Sequence, residues 1–291
     1  MKQRRDGRKS GFAFGFQAIH LKVIGCYLLL LAFGLFFALP FFWMVQASFQ
    51  SPEELATYPP RIMPSKFTIE NYVSIVTDLP TPHMFWNSIV VAVTTTLSSL
   101  VFCSMAGYAF AHVRFRGRDA LYSIVLLTMM VPFYVVLIPL FLVVNSLGLI
   151  NSRLGVIIPF IMSPVATFMF KQYFIQIPSE LIEAATIDGA NQITIWRRIA
   201  FPLSRPMLVT VGIFMFIASW NSFIWPLIVL RSQESWTLPV GLHSISLQAK
   251  WKANWGATLA GATMFFAPMA VIYLFLQRQF VEGMLRSGIR G

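Results

Sequence analysis

The chain has 291 residues, 57% of them hydrophobic and only 11% charged, with a mean hydropathy of +0.69. Soluble domains carry roughly 25% charged residues, so an ordinary water-soluble enzyme is excluded, and the 28 Phe exclude a disordered chain. The net charge of +11 would suit nucleic acid, but every charged residue lies outside the long apolar stretches, which points to a membrane.

In chain order, residues 1–22 form a basic N-terminal segment. Six apolar stretches follow at 23–46, 85–111, 120–144, 154–170, 207–230 and 257–276, each approaching the roughly 20 helical residues that cross a bilayer. The fourth is the shortest. The first imitates a secretory signal, with Val45-Gln46-Ala47 resembling a cleavage site. Its apolar run exceeds the roughly 7–15 residues of a signal core, so it reads as an uncleaved anchor. Residues 23–276 thus form one all-α domain of six transmembrane helices, and 277–291 form a cytoplasmic tail. Pro132, Pro139, Pro159 and Pro226 lie within spans and predict kinks.

Positive residues set the orientation. With the N-terminus inside, 16 of the 22 Lys and Arg fall on the cytoplasmic segments and 6 on outer loops of similar total length. Both termini are then cytoplasmic. The same bias accounts for the basic excess, so nucleic acid is not a partner; the lipid bilayer is. Only His112, at a span edge, is a titratable group near the hydrocarbon. Carriers driven by protons or sodium keep such groups in the bundle, so a stand-alone secondary carrier or channel for a small polar solute is the weaker alternative. The chain has no Gly-Lys-Ser/Thr, hence no common phosphate-binding loop, and any nucleotide energy must come from a partner.

Between the fourth and fifth spans, residues 171–206 are too long and too patterned for a linker. Ser179 predicts an N-cap, Glu180 suits the positive helix start, and Gly189 predicts a C-terminal stop. The helix between them has about two and a half turns. Leu181, Ala184, Ala185 and Asp188 share one face, where the two alanines let another surface approach closely. A second helix is expected over 192–201, capped by Asn191 and ended by Pro202, with Ile193, Trp196 and Ile199 inward. Both are too short to be stable alone.

Glu183-Ala184-Ala185, Asp188-Gly189-Ala190 and Ile199-Ala200-Phe201-Pro202-Leu203 resemble the EAA loop of bacterial ABC-importer permeases. More narrowly, the chain resembles the maltose-type carbohydrate permeases, the smaller partner of a permease pair. Thr68-Ile69-Glu70-Asn71-Tyr72, Asn87-Ser88, Trp220-Asn221-Ser222-Phe223 and Phe280-Val281-Glu282-Gly283 carry that likeness along most of the chain, with Phe201 where Leu is usual. The resemblance implies a heteromeric complex in the bacterial inner membrane. Its other members would be a second, different permease subunit, two ATPase subunits and an extracytoplasmic sugar-binding protein. It also implies a transport subunit rather than an enzyme, with no catalytic residue and no cofactor of its own, ATP and Mg2+ being held by the ATPases. Glu183, Ala184, Ala185, Asp188, Gly189 and Ala190 would then form the coupling helix that docks on an ATPase. Arg286, Gly288 and Arg290 in the glycine-containing tail would contact the ATPases. The solute stays open, with glycerol phosphate and acidic oligosaccharides included.

Asn87, Ser88, Trp220, Asn221 and Ser222 are candidates for the substrate path, since an aromatic face beside amides and hydroxyls suits a sugar. Equally, Asn and Ser serve as hydrogen-bonding glue between spans. In the outer loop 231–255, Trp236, His243 and Trp251 are candidates for contact with the binding protein, although Trp also marks the headgroup zone. The four His are scattered without metal-ligand spacing, Cys26 and Cys103 form no CxxC pattern, and no metal site is expected.

Overall fold

The protein is described here by a computed structural model covering residues 7–59, 61, 63–247 and 255–288, with side chains described over 23–244 (60 and 62 apart) and 255–275. The described residues are helical, with no strand among them. Four helices are long and apolar enough to cross a membrane: Val23–Ala47, Thr81–His112, Arg153–Phe174 and Trp255–Phe275. Two bent pairs, Arg118–Met130 with Phe133–Ser146 and Gln192–Leu203 with Arg205–Trp220, raise the number to as many as six, and in the second pair Arg205–Trp220 is the spanning member.

The first span is almost wholly exposed and packs on the sixth; the second is the hub, lying along the fourth and fifth. Gly107 shows how close that hub comes. A Cβ there would sit 2.6 Å from Phe170 Cβ and 2.9 Å from the Lys171 nitrogen, so only a hydrogen side chain lets the second and fourth spans meet. Three apolar clusters follow. One near the Thr81 end of the second span holds Ile75, Met84, Trp220 and Leu238, and a second holds Val91, Val156, Trp225 and Val229. The third, at the opposite ends of the spans, gathers Phe170 and Phe174 with Ile182, Ile195 and Ala200 from the inserted loop.

Several expected elements are differently built. The stretch expected at 120–144 is two helices, Arg118–Met130 and Phe133–Ser146, bent by 108°. Pro132 donates no N–H and drives Val131 into extended backbone (φ −83°, ψ 118°), so the helix cannot run through. The fourth span runs from Arg153 to Phe174 but is interrupted between Phe160 and Pro164, where Ser163 caps the second piece through Ala166 N at 3.3 Å. The fifth comprises Arg205–Trp220 and Ile224–Val229 around a break at 221–223. At the C-terminus, Gly283 and Gly288 do not end the helix: backbone Trp255–Gly288 is continuous. The long apolar helix before the tail supplies the nucleus that a free segment would lack.

Candidate functional site: the inserted loop, the latch and a mid-span cavity

The loop between the fourth and fifth spans carries the helix Ser179–Ile187. Its N-cap is Pro178 rather than Ser179, and no side chain caps it. Pro178 fixes the extended entry backbone, which leaves Ser179 as the first helical residue. The C-terminus follows the expectation. Gly189 has φ +81°, its N–H donates to Thr186 O at 3.0 Å, and Ala190 N–H donates to Ala185 O at 3.0 Å. That pair of bonds is a Schellman motif, which needs a left-handed residue after the helix. Ala185 and Ala190 close it with an apolar contact to the inner cluster.

Ile182 is buried and Ala185 half-buried, so the helix is glued upward by that side. Glu183, Ala184 and Asp188 are exposed, as are Leu181 and, at 86%, Ile187. The expected face is therefore split: Ala184 and Asp188 look outward, while Ala185 turns in. Ile187 was missed. It is a large apolar side chain left bare beside two exposed carboxylates.

The second helix of the loop begins where Asn191 accepts from Thr194 N at 2.8 Å, as its sequence predicts. It is not a regular helix. Trp196–Ala200 is a π segment in which Phe201 N–H reaches Trp196 O, and Pro202 lies inside the continuing helix, which ends at Leu203. Ile195 and Ala200, five residues apart across the π turn, are buried, and Trp196 and Ile199 are half-buried; Ile193, ahead of that turn, is 65% exposed rather than inward. Arg197 and Arg198 are exposed, and the helix meets Arg205–Trp220 at 82°. The loop is tied to the second span by Tyr108 Oη donating to Gln192 Oε1 at 2.9 Å. His112 Nε2 lies 2.9 Å from Phe174 O beside it.

At the other end of the second span, Asn87 and Ser88 form a latch. Asn87, 1% exposed, donates to Glu234 O (2.8 Å) and Trp236 O (3.0 Å) and accepts from Arg153 Nε (2.8 Å). Ser88 Oγ accepts from Leu238 N at 2.8 Å. Their polar atoms are thus engaged in holding the outer loop, the glue role that sequence reasoning left open. Asn151, missed earlier, completes the latch: in a left-handed conformation (φ 58°), it accepts from the backbone of Arg231 and Ser232 and from Ser235 Oγ. Asn tolerates that conformation, the one signal its sequence carried.

Trp220 is likewise a core residue, 1% exposed, stacked between Phe216 and Phe265 with Nε1 donating to Phe265 O at 3.2 Å. Trp236 is half-buried between two clusters, and His243 is exposed with its ring 5.0 Å from that of Phe223. Asn221 is exposed and Ser222 half-buried at the break in the fifth span. Trp251 and Arg290 fall outside the described residues; Arg286 and Gly288 lie on the final helix, their side chains undescribed. No trio of His, Cys, Asp or Glu able to hold a metal occurs among the described residues.

A cavity of about 160 Å³ opens where the breaks in the fourth and fifth spans face the second. Thr95, Val156, Phe160, Met215, Ser219 and Ser222 line it. Thr95 is 2% exposed, and its hydroxyl has no hydrogen-bond partner.

The chain matches the family described as "Binding-protein-dependent transport system inner membrane component" over residues 103–286. The chain belongs to that family. It is a multi-pass inner-membrane transport component, not a stand-alone carrier. Among relatives, the arabinooligosaccharides transport system permease protein AraQ of Halalkalibacterium halodurans is 36% identical over 87% of this chain and 91% of its own. The lactose transport system permease protein LacG of Rhizobium radiobacter is 32% identical over 85% and 89%. In three dimensions the permease resembles a chain in the crystal structure of a bacterial ABC transporter involved in import of the acidic polysaccharide alginate, with a TM-score of 0.79 and 25% identity, covering 90% of this chain and 97% of that one.

Proposed function

We propose that this permease moves a carbohydrate into the cytoplasm by alternating access, driven by ATP hydrolysed on partner subunits. It pairs with a second, different permease and rests on two ATPase subunits, which hold ATP and Mg2+. An extracytoplasmic binding protein delivers the sugar, and both termini face the cytoplasm. The observation that carries this reading is the Schellman-closed helix Ser179–Ile187, anchored inward by Ile182 and presenting Glu183, Ile187 and Asp188 outward. A short helix fixed at both ends transmits displacement between rigid bodies, which a loop cannot do. The relatives named for arabinooligosaccharides and lactose support a sugar as cargo. At the outer side, Trp236 and His243 sit on the latched loop and offer the contact for the binding protein.

The test is co-purification from membranes followed by reconstitution. The complete complex should take up sugar only with ATP and binding protein, and the chain should recover a distinct permease with two ATPase copies. Sugar flux through the isolated chain in liposomes would overturn the proposal.

A further inference from the structure

The short connection between the second and third spans carries more positive charge than its surroundings balance. Residues 113–117 join the helix Thr81–His112 to the helix Arg118–Met130, so this connection stays close to the ends of two apolar helices. It lies on the side of the inserted loop, since His112 just before it meets the carbonyl of Phe174 just ahead of that loop. Arg114 and Arg116 are exposed, and Arg118 follows half-buried. Lys171 reaches across from the fourth span. Its Nζ lies 3.2 Å from the centroid of the Tyr122 ring, near enough to Arg118 and Asp119 to interact with both charges. Asp119 is the carboxylate of this cluster, and it accepts from the Nε–H of Arg118 at 3.0 Å. Among the described residues, no carboxylate forms an ion pair with Arg114, Arg116 or Lys171.

Arg114, Arg118 and Asp119, with Phe115, Gly117 and Ala120, line an open pocket of about 370 Å³. At the roughly 30 Å³ that one water occupies, it has room for about a dozen waters, hence for a hydrated phosphate. Along the helix that leaves the pocket, Leu121, Ile124 and Leu127 are exposed, about one per turn. Ser123 and Thr128, exposed beside them, donate to the carbonyls of Asp119 (2.8 Å) and Val125 (2.6 Å). The lane therefore presents hydrocarbon and no unpaired hydroxyl. Cations at the head of a bare apolar lane complement both halves of an amphiphile. A guanidinium fork matches the oxygens of a phosphate. An acidic protein surface would answer the cations but leave the lane below them bare.

We propose that this junction is a binding site for one anionic phospholipid. Its phosphate sits between Arg114 and Arg118, Arg116 and Lys171 add to the attracting field, and an acyl chain lies along Leu121, Ile124 and Leu127. The site selects by net charge, taking phosphatidylglycerol over phosphatidylcholine, whose quaternary ammonium would face the same cations. Each basic residue at a membrane surface strengthens such binding about fivefold. The bound lipid ties together the ends of the second, third and fourth spans, beside the Tyr108–Gln192 anchor of the inserted loop.

The experiment uses the full complex in neutral detergent, supplied with phosphatidylglycerol or phosphatidylcholine that carries a diazirine in one acyl chain. After irradiation, marked residues are located by peptide mass spectrometry. Phosphatidylglycerol should mark residues 121–127 several-fold more than phosphatidylcholine does. Arg114→Gln with Arg118→Gln should cut that marking about 25-fold, fivefold for each charge. Arg114→Lys with Arg118→Lys should keep most of it, which separates loss of charge from loss of fold. Millimolar inorganic phosphate or sn-glycerol 3-phosphate should not displace the lipid, because neither fills the apolar lane. Equal marking by the two lipids, marking that survives the glutamine pair, or full displacement by inorganic phosphate would each overturn the proposal. So would loss of other subunits from the glutamine variant with lipid marking intact, which would give the patch a protein partner instead.

Discussion

Replacing Gly189 tests the coupling assignment most directly. Its φ of +81° closes the Schellman motif, and a Cβ built there meets nothing within 4 Å. The penalty of a side chain is therefore conformational and not steric crowding by neighbours. An L-residue in the left-handed region costs roughly 1–2 kcal/mol, and strained positions of this kind reach about 3 kcal/mol. Gly189→Val, branched at Cβ, belongs at the upper end, while Gly189→Asn should cost far less because Asn visits this region. A loss of about 2 kcal/mol changes a local equilibrium by up to about 30-fold. In a helix of nine residues with no stability of its own, that frays the C-terminal turn carrying Ile187 and Asp188. The assay is ATP hydrolysis by the reconstituted complex with and without sugar-loaded binding protein, beside a count of assembled subunits. Gly189→Val should insert normally and lose stimulation or ATPase subunits, and Gly189→Asn should retain most of both. Equal, wild-type behaviour of the two variants would refute the role of this turn.

Glu183→Lys, which reverses a charge on the exposed side, should reduce stimulated hydrolysis while leaving the thermal midpoint of the detergent-solubilised complex unchanged. Gly107→Ala should lower that midpoint, because its Cβ falls 2.6 Å from Phe170 Cβ and overpacking of this kind costs about 1–3 kcal/mol. Deleting residues 285–291, which removes Arg286, Gly288 and Arg290, should lower sugar-stimulated hydrolysis more than assembly; a truncated complex with full stimulation would show the tail dispensable.

What could be read in the sequence was what is local. Gly189 and Asn191 act on bonds within six residues of themselves, so their chemistry is sufficient to predict the turn and the cap. The second loop helix was legible in part: Trp196 and Ile199 pack on the inner cluster as their spacing predicts, but the π segment sets Ala200 five residues after Ile195 on the buried side, a step that periodicity hides, and Ile193 is exposed. Pro132 announced a kink, but its 108° depends on what the two half-helices pack against. Asn87 and Ser88 were ambiguous for the opposite reason. Their partners Glu234, Trp236 and Leu238 are about 150 residues away, and a polar residue in a span looks the same whether it meets a loop or a sugar.

The second span joins the two ends of the site. As one uninterrupted helix, Thr81–His112, it carries the outer latch at Asn87 and the loop anchor at Tyr108. Those residues are 21 positions apart, or about 31 Å along the axis. Stability effects of residues separated by more than about 10 Å add within a few tenths of a kcal/mol. Asn87→Ala and Tyr108→Phe should therefore be additive in the thermal midpoint. If the helix moves as a rigid rod between binding protein and ATPase, they should not be additive in stimulated hydrolysis, because cutting either end already disconnects the rod. The double variant should then resemble the worse single variant. Additive losses in hydrolysis as well as in stability would mean that the outer latch and the loop anchor act separately, and that the second span holds the bundle together without relaying movement through it.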